Sequence, residues 1–309
     1  MNAGRVDVHH HAILPAIAQL MREHGATFTL PWSLPQTWQV LADNRIDVAL
    51  VSNPIPAGLF DSVEVAARFN RAANEAVAEL VAAHPGRFGL LAALPMPYVD
   101  AALDEVAYAF DTLRADGVVL IAHAGDSYLG APIYDPLLAE LNRRRAVVLV
   151  HPMTLPGGPV DGVPPVLADF LLDTTRAAIS LIWTGALDRY PDISFVLAHG
   201  GGFLPYAASR VAALGEAFYD VPAAQVRSAL GRFHYDLALT APSGLPSLLA
   251  AVGPDRILYG TDWSAAPEPV VAAGGRAIDR QLAALDPAAR AAIERDNALR
   301  LFPRLRLTR

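Results

Sequence analysis

Short apolar runs rich in β-branched residues recur eight times along this chain, and each is followed by a longer stretch with helical spacing. The runs are Arg5 to His9, Asp47 to Ser52, Phe88 to Leu94, Val118 to Ala122, Ala146 to Val150, Ser194 to Ala198, Phe233 to Leu237 and Arg256 to Tyr259. This alternation is the pattern of βα units, whose parallel strands are covered on both faces and therefore read as nearly continuous apolar segments. Eight such units in 309 residues, with no Gly/Ser-rich or charged linker, predict a single α/β domain over residues 1–309, a (β/α)8 TIM barrel. A doubly wound open sheet is the alternative arrangement of the same units. The stretch from Ala12 to Leu41 is too long for a simple βα connection and contains Pro15, Pro31, Trp32 and Pro35, which predicts a small cap insertion after the first strand. Asp100 is expected to cap a helix carrying Leu103, Val106, Phe110 and Leu113, with Gly117 ending it, and Asp135-Pro136 to open another.

Composition narrows the chemistry. With 53% apolar and 18% charged residues the chain can bury a large core, which excludes a disordered tail or a small disulfide-stapled scaffold. It contains no cysteine, and its 24 basic residues are all arginine. Thiolate metal sites, cysteine nucleophiles, Schiff-base lysines and a carbamylated lysine bridging two metals are therefore excluded. A net charge of −7 disfavours nucleic acid and anionic membrane surfaces as partners. Met1 to Asp7 hold no apolar leader segment and no uninterrupted apolar stretch approaches about 18 residues, so a soluble cytoplasmic protein is expected.

The placement of the nine histidines is more informative than their number. In Asp7-Val8-His9-His10-His11, period-two alternation sends His9 and His11 to one side of the first strand and His10 to the other. His151 ends the fifth run, His199 ends the sixth and Asp262 follows the eighth. In a barrel these strand ends converge on one face, where such folds place their active sites. A lone histidine at a strand end is ordinarily just a hydrogen-bonded side chain. Several strand ends that present His or Asp together point instead to a bound cation, with His9, His11, His151 and Asp262 as its ligands. His123 follows the fourth run and faces the same mouth, where it could meet a substrate hydroxyl or carboxylate or act from behind another residue. Phe203 and Trp263 belong to a set of largely apolar mouth residues, with Pro54, Ile55, Phe60, Met96, Tyr98 and Met153, suited to a flat aromatic acid. His24 and His84 are expected to be structural, and His234 has no assigned role.

The chain resembles the amidohydrolase superfamily, in the branch containing aminocarboxymuconate-semialdehyde decarboxylase and the metal-dependent aromatic acid decarboxylases. The residues that carry the resemblance are Asp7-x-His9-x-His11, Ala83-His84-Pro85-x-Arg87-Phe88, His151-Pro152, His199-Gly200-Gly201-Gly202, Tyr259-Gly260-Thr261-Asp262 and Asn297-Ala298-x-x-Leu301-Phe302. Within that branch it is most similar to 6-methylsalicylate decarboxylase-like proteins, through Asp116-Gly117-Val118-Val119-Leu120, Asp173-Thr174-Thr175-Arg176 and Tyr235-Asp236-x-Ala238-Leu239. The resemblance implies one divalent metal per subunit on His9, His11, His151 and Asp262, and His199 beside the metal-bound water or substrate as an acid-base or orienting group. Arg210 matches an arginine that reaches into the neighbouring subunit's site to bind a substrate carboxylate, which implies a homodimer; an ordinary helix-surface arginine is the competing reading. Two departures matter. Thr37-Trp38-Gln39-Val40 lacks the second arginine of the aminocarboxymuconate enzymes, so a substrate with several carboxylates is not expected. The lysine that binuclear relatives carry after the fourth strand is also missing.

The leading functional expectation is a non-oxidative decarboxylase acting on a small hydroxylated aromatic acid of the salicylate type. Asp262 would deliver the proton to the ring carbon, His199 would assist, and the metal would hold the carboxylate and its neighbouring phenolic oxygen. The alternative keeps the metal and changes the reaction to hydrolysis of a lactone, amide or vinylogous carbonyl, with Asp262 accepting the proton of the attacking water. A binding protein with a vestigial metal site is the third class. Zinc is the first expectation for a His-rich site with one Asp, and manganese accepts the same ligands.

Overall fold

The computed structural model describes residues 4–24, 32–53 and 62–308. Eight parallel strands form one sheet: Arg5–His10, Ile46–Ser52, Phe88–Ala93, Gly117–Ile121, Val147–His151, Ser194–Leu197, His234–Asp236 and Ile257–Leu258, taken below as the first to the eighth. Each pairs with the next in chain order, and the ends meet: Val8 N–H donates to the Tyr259 carbonyl at 3.0 Å and Asp262 N–H to the His9 carbonyl at 2.8 Å. The sheet thus closes on itself as the predicted barrel, with every strand within one residue of its expected bounds. Closure explains the apolar character of the runs. Val147, Val148, Leu149 and Val150 are all buried, because side chains on one face fill the barrel and those on the other meet the helices.

Helical periodicity supplies the outer layer. In the helix Val63–Ala83, Ala66, Phe69, Ala73, Val77 and Leu80 are buried at steps of three and four, and Ser62 caps the start by accepting from Val65 N–H. The helix Asp135–Arg143 starts at the expected Asp135-Pro136. Two local expectations are corrected. Asp100 does not cap its helix, which runs Val99–Asp111, because Ala102 N–H already donates to the Tyr98 carbonyl; Asp100 sits in the first turn. Gly117 opens the fourth strand and does not end that helix. A Cβ at Gly117 would approach the Val147 carbonyl oxygen to 2.5 Å, so the glycine answers the close approach of the fifth strand.

The segment proposed as a cap divides in two. The helix Leu34–Asp43 packs against the second strand and the helix Glu268–Leu282, with Thr37, Val40 and Leu41 buried, so this part is barrel wall. The helix Pro15–Glu23 buries Ile17 and packs on the helix Val63–Ala83. Pro31 of that segment, and the mouth residues Pro54, Ile55 and Phe60, lie outside the described residues. No helix among the described residues is long and apolar enough to cross a membrane.

Candidate metal centre

The C-terminal ends of the first, fifth and eighth strands bring His9, His11, His151 and Asp262 together, with one donor atom from each lying within 4.8 Å of all the others, and all four are buried. The local backbone explains the convergence. His9 and His11 share a side of the first strand, and Asp262 is pulled against that strand by its N–H bond to the His9 carbonyl. His199 and Asp262 both adopt the left-handed backbone, at φ 53° and 63°, a conformation that non-glycine residues keep only where their surroundings impose it. Asp7 is the clasp beneath them. Its carboxylate accepts from Thr261 N–H at 3.0 Å, Thr261 Oγ1 at 2.6 Å and His9 N–H at 3.2 Å, which ties the first strand to the exit of the eighth.

The arrangement of ring nitrogens tests whether a cation fits. His9 Nδ1 lies 2.8 Å from Asp236 Oδ2, His11 Nδ1 2.7 Å from the Ser52 carbonyl and His151 Nδ1 2.8 Å from the Pro152 carbonyl. Each Nδ1 thus has an acceptor that retains its proton, and each Nε2 is left to offer a lone pair. The His9 and His11 Nε2 atoms face one another at 3.2 Å, and Asp262 Oδ1 stands 3.0 Å from His11 Nε2 and 3.3 Å from His9 Nε2. Lone pairs and a carboxylate aimed at one point are reconciled by a positive charge, so the donor set fits a divalent cation with nitrogen and oxygen ligands.

The charge balance agrees. Burial by itself would raise the Asp262 carboxyl, but hydrogen bonds from His11, His199 and His9 hold it well below the usual carboxylate range. Burial would depress His9, yet Asp236 and Asp262 outweigh that and raise it to about 10. His151 is held well below the ordinary histidine value, first by burial and then by the neighbouring His11, His9 and His199. A proton and a cation compete for the same lone pairs in such a cluster.

His199 differs from the other three histidines. Its Nε2 is 3.5 Å from Asp262 Oδ2, while its Nδ1 is buried with no hydrogen-bond partner among the described residues. It therefore borders the cluster beside the second oxygen of Asp262. His10 turns the other way, with Nδ1 3.0 Å from Asp7 Oδ2. His123 Nδ1 lies 2.8 Å from Asp173 Oδ1, at the exit of the fourth strand. Phe203 is 40% exposed at the start of the helix Leu204–Tyr219, which also carries the exposed Arg210. Trp263, expected on the substrate wall, is buried and turns its indole outward to the helix Leu34–Asp43, where Nε1 donates to Thr37 Oγ1 at 3.2 Å and the ring packs with Val40 and Val271.

Three groups around the centre were not legible as part of it: Asp236, Asp173 and the Ser52 carbonyl. Asp236 does the most, since besides His9 it accepts from His199 N–H and Ala238 N–H, each at 3.0 Å. Its signal was present only as the Tyr235-Asp236-x-Ala238 motif, which carries no spacing that would assign a partner.

The amidohydrolase family pattern matches residues 6–304. A 6-methylsalicylic acid decarboxylase of Penicillium expansum is 31% identical, over 98% of this chain and 97% of its own. A solved structure described as amidohydrolase II has a TM-score of 0.85 at 29% identity and covers 97% of this chain and 99% of that one. A dihydroxybenzoic acid decarboxylase of a Polaromonas species, solved with bound manganese and 2-nitroresorcinol, has a TM-score of 0.80 at 21% identity over 98% and 97% of the two chains, and so shares the fold.

Proposed function

The chain belongs to the amidohydrolase family, and from that premise we propose that it is a metal-dependent carboxy-lyase removing the carboxylate from a salicylate-type hydroxylated aromatic acid. The observation that carries this reading is the near full-length similarity to the Penicillium protein, whose name states that reaction on such an acid. His9, His11, His151 and Asp262 would hold one divalent cation per subunit, zinc before manganese on ligand chemistry. When bound, that cation supplies positive charge for the substrate carboxylate and the adjacent phenolic oxygen.

The remaining chemistry belongs to the chain. Asp262 passes a proton to the ring carbon that bears the carboxylate, forming the new carbon–hydrogen bond. The bond to the carboxylate carbon then breaks, its electron pair returns to the ring, and carbon dioxide leaves as aromaticity is restored. His199, 3.5 Å from Asp262 Oδ2, returns the proton from solvent. Arg210 would bind a substrate carboxylate in the neighbouring subunit of a homodimer, and Phe203 would form part of the apolar wall. The setting is the cytoplasm.

The test is a panel of hydroxybenzoates assayed for carbon dioxide release, repeated in heavy water. The phenolic product should carry deuterium at the position that lost the carboxylate. Consumption of substrate without carbon dioxide release would transfer the case to hydrolysis. A separate expectation concerns the ligands. Elemental analysis should find one ion per chain, and His151→Ala should lose affinity by more than the about 10–100-fold that follows loss of an outer hydrogen-bond partner. Unchanged metal content in that variant would remove His151 from the ligand set.

A further inference from the structure

The fourth strand ends opposite the eighth in the eight-membered ring, so His123 stands across the barrel mouth from Asp262. Ile121 pairs in register with His151, and the ladder continues as Ala122 N–H donates to the His151 carbonyl at 2.9 Å. His123 follows two residues after Ile121, past a bend at Ala122, at the same end of the barrel as His151. His123 is not loose there. Its Nδ1 is 2.8 Å from Asp173 Oδ1, and its ring lies 5.2 Å from that of Tyr128 on the short hairpin that follows the fourth strand.

Asp173 is itself fixed. Its side chain is fully buried on the helix Asp169–Trp183, and its other oxygen accepts from Met153 N–H at 2.8 Å, two residues past His151. One buried carboxylate thus links the exits of the fourth and fifth strands and stands 2.8 Å from the Nδ1 of His123 without hydrogen-bond alignment, and Nε2 is the nitrogen turned away from it. The buried Tyr128 hydroxyl stands in the same corner, beside Asp173 and Arg176. Arg176, an exposed residue of the helix that carries Asp173, interacts with that hydroxyl.

We propose that His123, oriented by Asp173, is a specificity residue whose Nε2 accepts a hydrogen bond from a second ring hydroxyl, on the edge of the substrate remote from the reacting carboxylate. The inference rests on the decarboxylase reading for the substrate's orientation, with the reacting edge at the cluster of His9, His11, His151 and Asp262. A hydroxyl suits the corner because it can donate to Nε2, whereas a second carboxylate would bring a negative charge towards Asp173 with nothing to donate.

The test compares salicylate with 2,4- and 2,5-dihydroxybenzoate by equilibrium titration of the metal-loaded enzyme, with carbon dioxide release measured separately. One of the dihydroxy acids should bind about tenfold more tightly than salicylate, the size of one well-formed hydrogen bond. His123→Leu should abolish that preference and leave salicylate binding within about twofold, because only the added contact is lost. Asp173→Asn keeps an acceptor for Met153 N–H but weakens the hold on His123, so it should reduce the preference and raise KM more than it lowers kcat. Rescue of the preference in Asp173→Glu would mark Asp173 as a positioning residue. A preference that survives His123→Leu, or is absent from the wild type, overturns the proposal. Selective binding that depends on His123 without carbon dioxide release would instead retain this contact and defeat the decarboxylase reading.

Discussion

Asp262→Asn is expected to retain metal at saturating concentration and to release carbon dioxide about a thousandfold more slowly than wild type, or not at all, the scale of losing a general acid. The asparagine amide preserves an oxygen for the cation, but it cannot carry a proton to the ring carbon. Metal analysis of the same sample separates loss of the proton carrier from loss of the ion. If the variant stays active with metal in place, Asp262 is a ligand only and the proton must come from elsewhere, His199, outside the ligand set and 3.5 Å from Asp262, being the next candidate. The same variant tests the subunit arrangement. Mixed with Arg210→Ala, it should recover part of the activity, because a heterodimer contains one site with both groups intact. Complementation no better than the separate variants would place Arg210 in its own subunit's chemistry or outside the reaction.

Gly202→Ala should lower stability by about 3 kcal/mol or more, read as a fall in the thermal midpoint and a loss of metal affinity together. Gly202 sits at φ 63°, ψ −126°, a region that side chains rarely enter, so the methyl group is strained before any neighbour is considered. The neighbours allow no escape. A Cβ would come within 2.0 Å of the Leu171 carbonyl oxygen and 2.8 Å of Thr175 Oγ1. Thr175 Oγ1 accepts from Phe203 N–H at 2.9 Å and donates to Leu171, so the whole turn would shift and carry His199 with it. Gly253→Ala is the control, since a Cβ there meets nothing within 4 Å although its φ of 73° is also positive. Equal losses in the two variants would show that backbone strain accounts for the effect and the close approach to Leu171 does not.

The eight strands and the closed barrel could be read from the chain because burial on both faces of a parallel strand leaves a local mark, a short apolar run that any single segment displays. The convergence of His9, His11, His151 and Asp262 was legible for a related reason: strand ends of one barrel share a face, so position along each run is enough to place a side chain near the others. Helix ends were read less well. Asp100 and Gly117 have the chemistry of caps, but the backbone bond from Ala102 to Tyr98 and the approach of Val147 decided their places. Trp263 shows the same limit, since its indole could face the mouth or the wall, and a hydroxyl 226 residues away on Thr37 settles the matter. The groups that orient the ligands, Asp236 for His9 at a separation of 227 residues and the Ser52 carbonyl for His11 at 41, leave no trace in local spacing. Apolar periodicity along the chain determined the barrel and the face where its histidines gather. Which nitrogen each histidine presents depends on hydrogen bonds to atoms distant in sequence, and only the closed tertiary structure brings those atoms within reach.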